Sequence, residues 1–574
     1  MIKQLIKSVR EYKWYALLTP ILVGVEVVLE VAIPYVMASL IDLGVSTGDM
    51  SQIYKYGGYL VILAILSLIF GIIAGLTAAK GSTGFAKNLR HDIYNKVQDY
   101  SFANIDKFST GGIITRITTD VNNVRMAFQM ITRIAVRAPL MLLFSLLMAI
   151  KINSKMSLIF LGVMPILGIA LFYLVSRAKK YFEKVFKSYD KLNNVVQENV
   201  AGIRVVKAFV QEDKEDKKFK KVSKQVFDYH TKAERILAFN SPIMQLAMRT
   251  SLILIAWVGA KLIVSNSMTT GELMSLFTYS TQILSSLMML SMIFVFITIS
   301  IPSGKRIVEL LKEKPTIKNI ANPVNEILSG DIVFENVDFS YLNDENKLAL
   351  SKINLEIKSG ETIGIIGSTG SGKTSLVQLI PRLYDVTNGT VYVGGIDVRD
   401  YDLKVLRDNV SCVLQKNTLF SGTIKDNLRW GNENATDKEI IEACKIANAH
   451  DFIMNFTNKY DTLIEQGGTN VSGGQKQRLC IARALLKKPK VIILDDSTSA
   501  VDTSTEASIR DALSTKLKDM TTIIISQRIL SVEKADRIVV LDKGKISGIG
   551  THEELLKKNK IYQEVYKSQQ KGSE

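Results

Sequence analysis

The chain is short of several things that would narrow its reading quickly. Cysteine is nearly absent: three residues, Cys412, Cys444 and Cys480, in a chain of 574. All three lie in the second half, scattered without metal or redox spacing, so they are expected to be ordinary reduced core residues. Histidine is as scarce, at His91, His230, His450 and His552. The first residues, MIKQLIKSVREYKWY, lack a short apolar stretch followed by a small-residue cleavage site. No cleavable signal is therefore expected there, and the segment reads better as an amphipathic helix on the inner membrane surface. Acid is in deficit: 55 Asp plus Glu stand against 72 Lys plus Arg, a net charge of +17. Such an excess suits nucleic acid or anionic lipid.

What the chain does have is length and apolar runs. At 574 residues it exceeds the roughly 250–300 that one hydrophobic core can organise, so two or more domains are expected. Crossing a bilayer takes about 20 mostly apolar residues, and six stretches qualify: 14–40, 58–78, 133–151, 157–176, 243–264 and 273–301. The two long connections, 79–132 and 177–242, carry 7 and 16 Lys plus Arg. The short ones, 41–57, 151–156 and 265–272, carry one, two and none. Basic residues favour the cytosol, so both termini and both long loops are placed inside. With the excess charge in those loops, anionic headgroups account for it better than nucleic acid does. The long loops keep helical periodicity and read as helices running on past the membrane.

Within the first span, Glu26 and Glu30 stand four residues apart and share one helix face. Carboxylates inside a membrane are costly, so they pair with a cation or line a cavity. Arg137, Arg249 or Lys261 could pair with them. A cavity-lining role toward cationic or polar cargo is the functional alternative.

Composition changes at 302–330, where Pro302, Pro315 and Pro323 punctuate a charged stretch and strands begin. The boundaries are set at 1–310 for the membrane domain, 311–328 for a linker and 329–574 for a nucleotide-binding domain. After the strand TIGIIG come Gly367, Ser368, Thr369, Gly370, Ser371, Gly372, Lys373, Thr374 and Ser375, which fit GxxxxGK[ST] ahead of a helix. Glycines let backbone amides wrap phosphates, and the helix N-terminus adds favourable partial charge. Lys373 reaches the terminal phosphates and Thr374 offers its hydroxyl to magnesium. A second apolar strand, KVIILDD, ends on Asp495, placed to hold magnesium through water. These two features bind ATP or GTP in many enzymes. The six spans exclude a soluble enzyme acting on nucleic acid.

The intervening NVSGGQKQRLCIARAL, residues 470–485, closely resembles the signature sequence of ATP-binding cassette (ABC) proteins. The other family elements follow in register. Tyr341 matches the aromatic residue that stacks on adenine, and Gln415 the glutamine that touches magnesium. Ser499 to Asp502 match the loop that crosses the dimer interface. The resemblance spans essentially the whole chain, because six spans followed by a cassette is the layout of the exporter class. It implies an all-α membrane domain with long cytosolic helices, joined to an α/β cassette that hydrolyses ATP with magnesium held by Thr374, Gln415 and Asp495. It also implies a dimer, since Ser472, Gly473, Gly474 and Gln475 hold the ATP bound to the opposite subunit. Segments 108–120 and 199–209 resemble the coupling helices, with Gly111, Gly112 and Gly202 allowing the reversals.

Two positions depart from the family. Its catalytic glutamate is Asp496 here, one methylene shorter, and its switch histidine is Gln527, which cannot become cationic. Misplacement by about 1 Å can cost roughly a hundredfold in rate. The resemblance then implies the degenerate-site half of a heterodimeric exporter of amphipathic drugs, lipids or peptides. In it, this chain lends an intact signature to a partner's competent site. A homodimer with slow hydrolysis and an ATP-gated, channel-like protein are the alternatives. The Lys- and Ile-rich composition points to a bacterial plasma membrane.

Overall fold

The computed structural model describes residues 1–342, 344, 346–496 and 501–571. They form two compact units, Met1–Gln98 with Phe108–Glu313, and Asp99–Lys107 with Lys314–Glu574.

The first unit is helical throughout. Its elements are α1 (Ile2–Ile6), a 3₁₀ segment (Lys7–Tyr12), α2 (Lys13–Leu40) and α3 (Met50–Gln98). Next come α4 (Phe102–Phe108, largely in the second unit), α5 (Thr110–Thr115), α6 (Val121–Ile152) and α7 (Ser154–Ala201). The series ends with α8 (Ile203–Ala208), α9 (Glu212–Ala238), α10 (Asn240–Val264) and α11 (Thr270–Lys312). Six helical stretches among the described residues are long and apolar enough to cross a membrane, and each contains one of the six predicted spans. The 49 residues of α3 reach about 70 Å at 1.5 Å per residue, more than twice the hydrocarbon thickness, so the helix runs well past the membrane. Buried hydroxyls tie α11 to α2: Tyr279 donates to the Val31 carbonyl at 2.7 Å and Ser275 to that of Pro34 at 2.5 Å. Thr269 starts α11 with a reciprocal cap shared with Glu272.

The reversals in the long loops differ from expectation. Gly111 and Gly112 lie inside α5, and the first turn is made upstream of them. Ser109 takes a positive φ of 55° there, and its hydroxyl caps α5 by accepting from the Gly112 amide at 3.2 Å. In the second loop Gly202 ends α7 at φ −93°, and the left-handed residue is Val210 (φ 50°).

The second unit is α/β. Its strands are β1 (Ile332–Phe339), β2 (Leu350–Ile357), β3 (Thr362–Gly367), β4 (Asn388–Val393), β5 (Ile396–Asp397) and β6 (Val410–Val413). They continue as β7 (Gly422–Thr423), β8 (Leu463–Ile464), β9 (Val491–Asp495), β10 (Thr521–Ile525), β11 (Arg537–Asp542) and β12 (Lys545–Gly550). A four-stranded antiparallel sheet runs β2-β1-β4-β5. The main sheet runs β12-β11-β3-β10-β9-β6, parallel except for β12. Every residue of β9 and β10 is buried, as the central strands of a covered parallel sheet must be. Cys444 and Cys480 are buried and Cys412 partly so; all three are free thiols.

Asp99–Lys107 packs into this second unit through side-chain bonds. Asn104 donates to the Lys314 carbonyl at 3.1 Å and accepts from the Thr316 amide at 3.2 Å, while Tyr384 donates to Asp106 at 2.7 Å.

Candidate nucleotide site

Sheet order sets the site. β10 lies between β3 and β9, with Ile525 opposite both Ile365 and Asp495, so β3 and β9 bring their carboxyl ends to one level. Ligands in open parallel sheets bind at that edge. β3 runs into the glycine loop, and α12 (Lys373–Leu379) follows. Gly370 (φ +82°) and Gly372 (φ +97°) hold backbone conformations that side chains disfavour. A Cβ on Gly367 would stand 2.2 Å from the Leu541 carbonyl oxygen, so no larger residue fits where β3 meets the loop.

The loop borders a cavity of about 320 Å³. Thr369, Gly370, Ser371, Gly372, Lys373, Thr374 and Ser375 line it together with Tyr341, Gln415, Asp495, Asp496 and Gln527. Gly367 and Ser368 stand outside that lining, where their carbonyls accept from the Lys373 ammonium at 2.7 and 2.9 Å. Burial lowers the pKa of Lys373, with Asp496 and then Asp495 acting to raise it. An ammonium folded onto its own loop is poised to exchange carbonyls for phosphate oxygens. Ala349 and Ile525 complete the wall, and no motif in the sequence marks either of them.

Asp495 is 1% exposed, and one of its oxygens accepts from Thr374 at 3.1 Å while Oδ2 has no partner. Burial raises its pKa; the Thr374 hydrogen bond opposes this and Asp496 reinforces it. A buried carboxylate with a spare oxygen beside a hydroxyl suits a divalent cation. Among the described residues no group of three or more His, Cys, Asp or Glu could hold a metal ion, so an ion here would complete its shell with oxygens from water or phosphate. Magnesium fits this donor set better than a metal caged by protein alone.

Tyr341 is 48% exposed, rests edge-on against Phe339 and Tyr384 with centroids 4.7 and 5.2 Å away, and shares a hydrogen bond with Ser375 at 2.8 Å. It can offer a ring face to a base. Asp496 sits at φ +46°, its amide donating to the Ile525 carbonyl at 3.0 Å. Gln527 is exposed, and its backbone carbonyl accepts from the Gln569 side-chain amide at 2.7 Å. The histidines are committed elsewhere: His450 and His552 each pair with a tyrosine hydroxyl, of Tyr460 and Tyr562. His91 contacts Asn95 and His230 lies beside Glu234.

The signature residues are not part of this cavity. Ser472 caps the helix Gly473–Leu485, with reciprocal bonds to Gln475 of 3.2 and 2.9 Å, and Ser472 and Gly473 face solvent. Ser499 and Ala500 lie outside the described residues; Asp502 caps the helix Thr503–Lys516. Glu26 and Glu30 both meet Arg137, which contacts Glu26 through one terminal nitrogen and donates to both Glu30 oxygens at 2.8 Å through the other.

Two family models match the sequence: ABC transporter transmembrane region over residues 17–303 and ABC transporter over 350–499. The uncharacterized ABC transporter ATP-binding protein YfiB of Bacillus subtilis (strain 168) is 36% identical over 567 residues, covering 98% of each chain. This chain belongs to the ABC transporter family. The ATP-dependent lipid A-core flippase of Hahella chejuensis (strain KCTC 2396) is 33% identical over 517 residues, covering 88% of each chain. A solved bacterial Atm1-family ABC exporter with ATP bound shares the fold at a TM-score of 0.81 and 22% identity, over 98% of both chains. The chain is thus an ABC exporter whose transport is coupled to ATP hydrolysis, an integral plasma-membrane protein with its nucleotide-binding domain in the cytoplasm. ABC exporters of this layout work as dimers of half-transporters, and the channel-like alternative is not favoured.

Proposed function

We propose that this chain is the ATP-holding, weakly hydrolytic half of a heterodimeric exporter of amphipathic molecules. The observation that carries the reading is the pair Asp496 and Gln527, both on the wall of the nucleotide cavity. Every group needed to bind ATP is there beside them. The loop amides and Lys373 take the phosphates, Tyr341 takes the base, and Asp495, Thr374 and Gln415 are the residues that would hold magnesium. When bound, that ion neutralises phosphate charge. At the two positions that act on water and the terminal phosphate, the groups are a carboxylate one methylene short and an uncharged amide.

The signature helix begins away from this chain's own cavity, with Ser472 and Gly473 exposed. Exposed amides at a helix start suit the phosphates of an ATP held by the partner. This chain would therefore serve the complex mainly by lending its signature. Similarity to a lipid A-core flippase supports a lipid-like or drug-like amphipathic cargo. A cargo role for the acidic pair is proposed for Glu30 rather than Glu26, because its side chain is 26% exposed against 7%.

Steady-state ATPase of the assembled transporter tests the asymmetry. Asp496→Asn should leave turnover within about twofold, whereas Ser472→Ala should lower it about tenfold or more, the scale of a lost charge-assisted hydrogen bond. Collapse of turnover in Asp496→Asn would make this site catalytic and end the proposal.

A further inference from the structure

A second cavity, of about 240 Å³, lies in the helical unit beneath the N-terminal segment. Leu5 and Val9 form its roof, and Phe85, Phe128, Ile297 and Ile301 form much of its walls. Phe85 and Phe128 stack at 4.8 Å and stiffen one side. Its one polar side chain is Ser300, whose hydroxyl is spent on the carbonyls of Asn123 and Phe296. The cavity therefore offers no free side-chain hydrogen-bond donor to an occupant.

Its depth follows from the spans. Phe85 lies seven residues beyond the apolar run 58–78, Phe128 five before 133–151, and Ile301 ends 273–301. All three helices meet it at their cytosolic membrane edge. Trp14, 69% exposed, stands at the start of α2, where interfacial aromatics sit.

The rim is basic. Lys3 and Lys7 stand one turn apart on the exposed side of the roof, and Lys305 lies one turn beyond Ile301 on α11. Among the described residues no ion pair reaches any of the three, whereas their neighbours Arg10 and Arg306 are held by Asp92 and Asp120. Unpaired lysines around an apolar hole at the inner interface match one kind of molecule, with an acyl tail and an anionic head.

We propose that this cavity holds one acyl chain of an anionic phospholipid from the inner leaflet, with its phosphate among Lys3, Lys7 and Lys305. The site is distinct from the nucleotide cavity and from the Glu26–Arg137–Glu30 cluster. A lipid seated there ties the N-terminal segment to α3, α6 and α11.

The test uses full-length protein solubilised from vesicles of equal phosphatidylcholine and phosphatidylglycerol, with retained lipid read by native mass spectrometry. Wild type should retain phosphatidylglycerol over phosphatidylcholine by on the order of a hundredfold, the sum over three lysines at about 1 kcal/mol each near an anionic headgroup. The exposed triple variant Lys3→Gln/Lys7→Gln/Lys305→Gln should bring the two to parity. Ala127→Phe fills the cavity from α6 and should abolish retention of both lipids. Gly304→Leu should do the same from α11, since a Cβ there already stands 3.3 Å from the Met1 sulfur and 3.5 Å from Leu5. Absence of retained lipid in wild type, or equal retention of both headgroups, overturns the proposal. So does undiminished retention in monodisperse Ala127→Phe and Gly304→Leu. A triple variant that keeps the wild-type preference shows that the lysines do not read the headgroup, and this also overturns it.

Discussion

Among the described residues, two buried carboxylates each leave one oxygen without a partner: Asp495 in the cassette and Glu26 in the membrane unit. Their surroundings differ in a way that separates binding from structure. Asp495 meets a neutral hydroxyl, Thr374, and opens on a cavity. Glu26 meets a guanidinium, Arg137, which also holds Glu30, and Gly71 of α3 closes against it. A Cβ on Gly71 would stand 3.0 Å from the Glu26 carboxylate. The first arrangement has room beside it and no bonded cation, and the second already contains its own. A spare oxygen therefore marks a ligand site only when its neighbours leave room and no cationic side chain is already bonded to the carboxylate.

The largest effect should come from removing that internal cation. Arg137→Met strands two carboxylates inside a span and should cost about 3–5 kcal/mol of stability, measured by unfolding in lipid. If Glu26→Gln and Glu30→Gln added to that variant restore most of the loss, the cost comes from the stranded carboxylates and not from lost packing. Next comes Lys373→Ala, expected to weaken ATP binding about a hundredfold in calorimetric titration, since it removes the buried charge proposed to pair with phosphate. Asp495→Asn sharpens the same contrast: nucleotide affinity should lose its dependence on magnesium while the fold stays intact. The smallest effect should come from Tyr384→Phe, which deletes the bond to Asp106 and costs about 1 kcal/mol of cassette stability by thermal unfolding.

Much of this was legible in the sequence because the relevant signals are local. Length and apolarity suffice to mark a span, and each of the six predicted stretches falls in a separate long helix. The glycine loop is equally local, and its lysine, threonine and the strand-end Asp495 converge on one cavity as their spacing implies. The reversals were less legible. Gly111 and Gly112 drew attention because glycine permits any turn, yet Ser109 makes it through a side-chain cap that composition does not announce. The pairing of Arg137 with the acidic pair was one of three open choices, since nothing in a linear sequence says which span faces which. Ala349 and Ile525 could not be found at all, because a wall residue needs only to be near.

On the proposed function, this chain's site binds ATP and hydrolyses it poorly. The direct measurement is the ATPase rate and oligomeric state of the purified chain in lipid, beside those of Asp496→Glu/Gln527→His. The account predicts that the wild-type chain is nearly inactive or fails to dimerise alone, and that restoring the carboxylate length and the imidazole raises turnover where dimers form. A wild-type homodimer that turns over briskly, with no gain in the double variant, would contradict it.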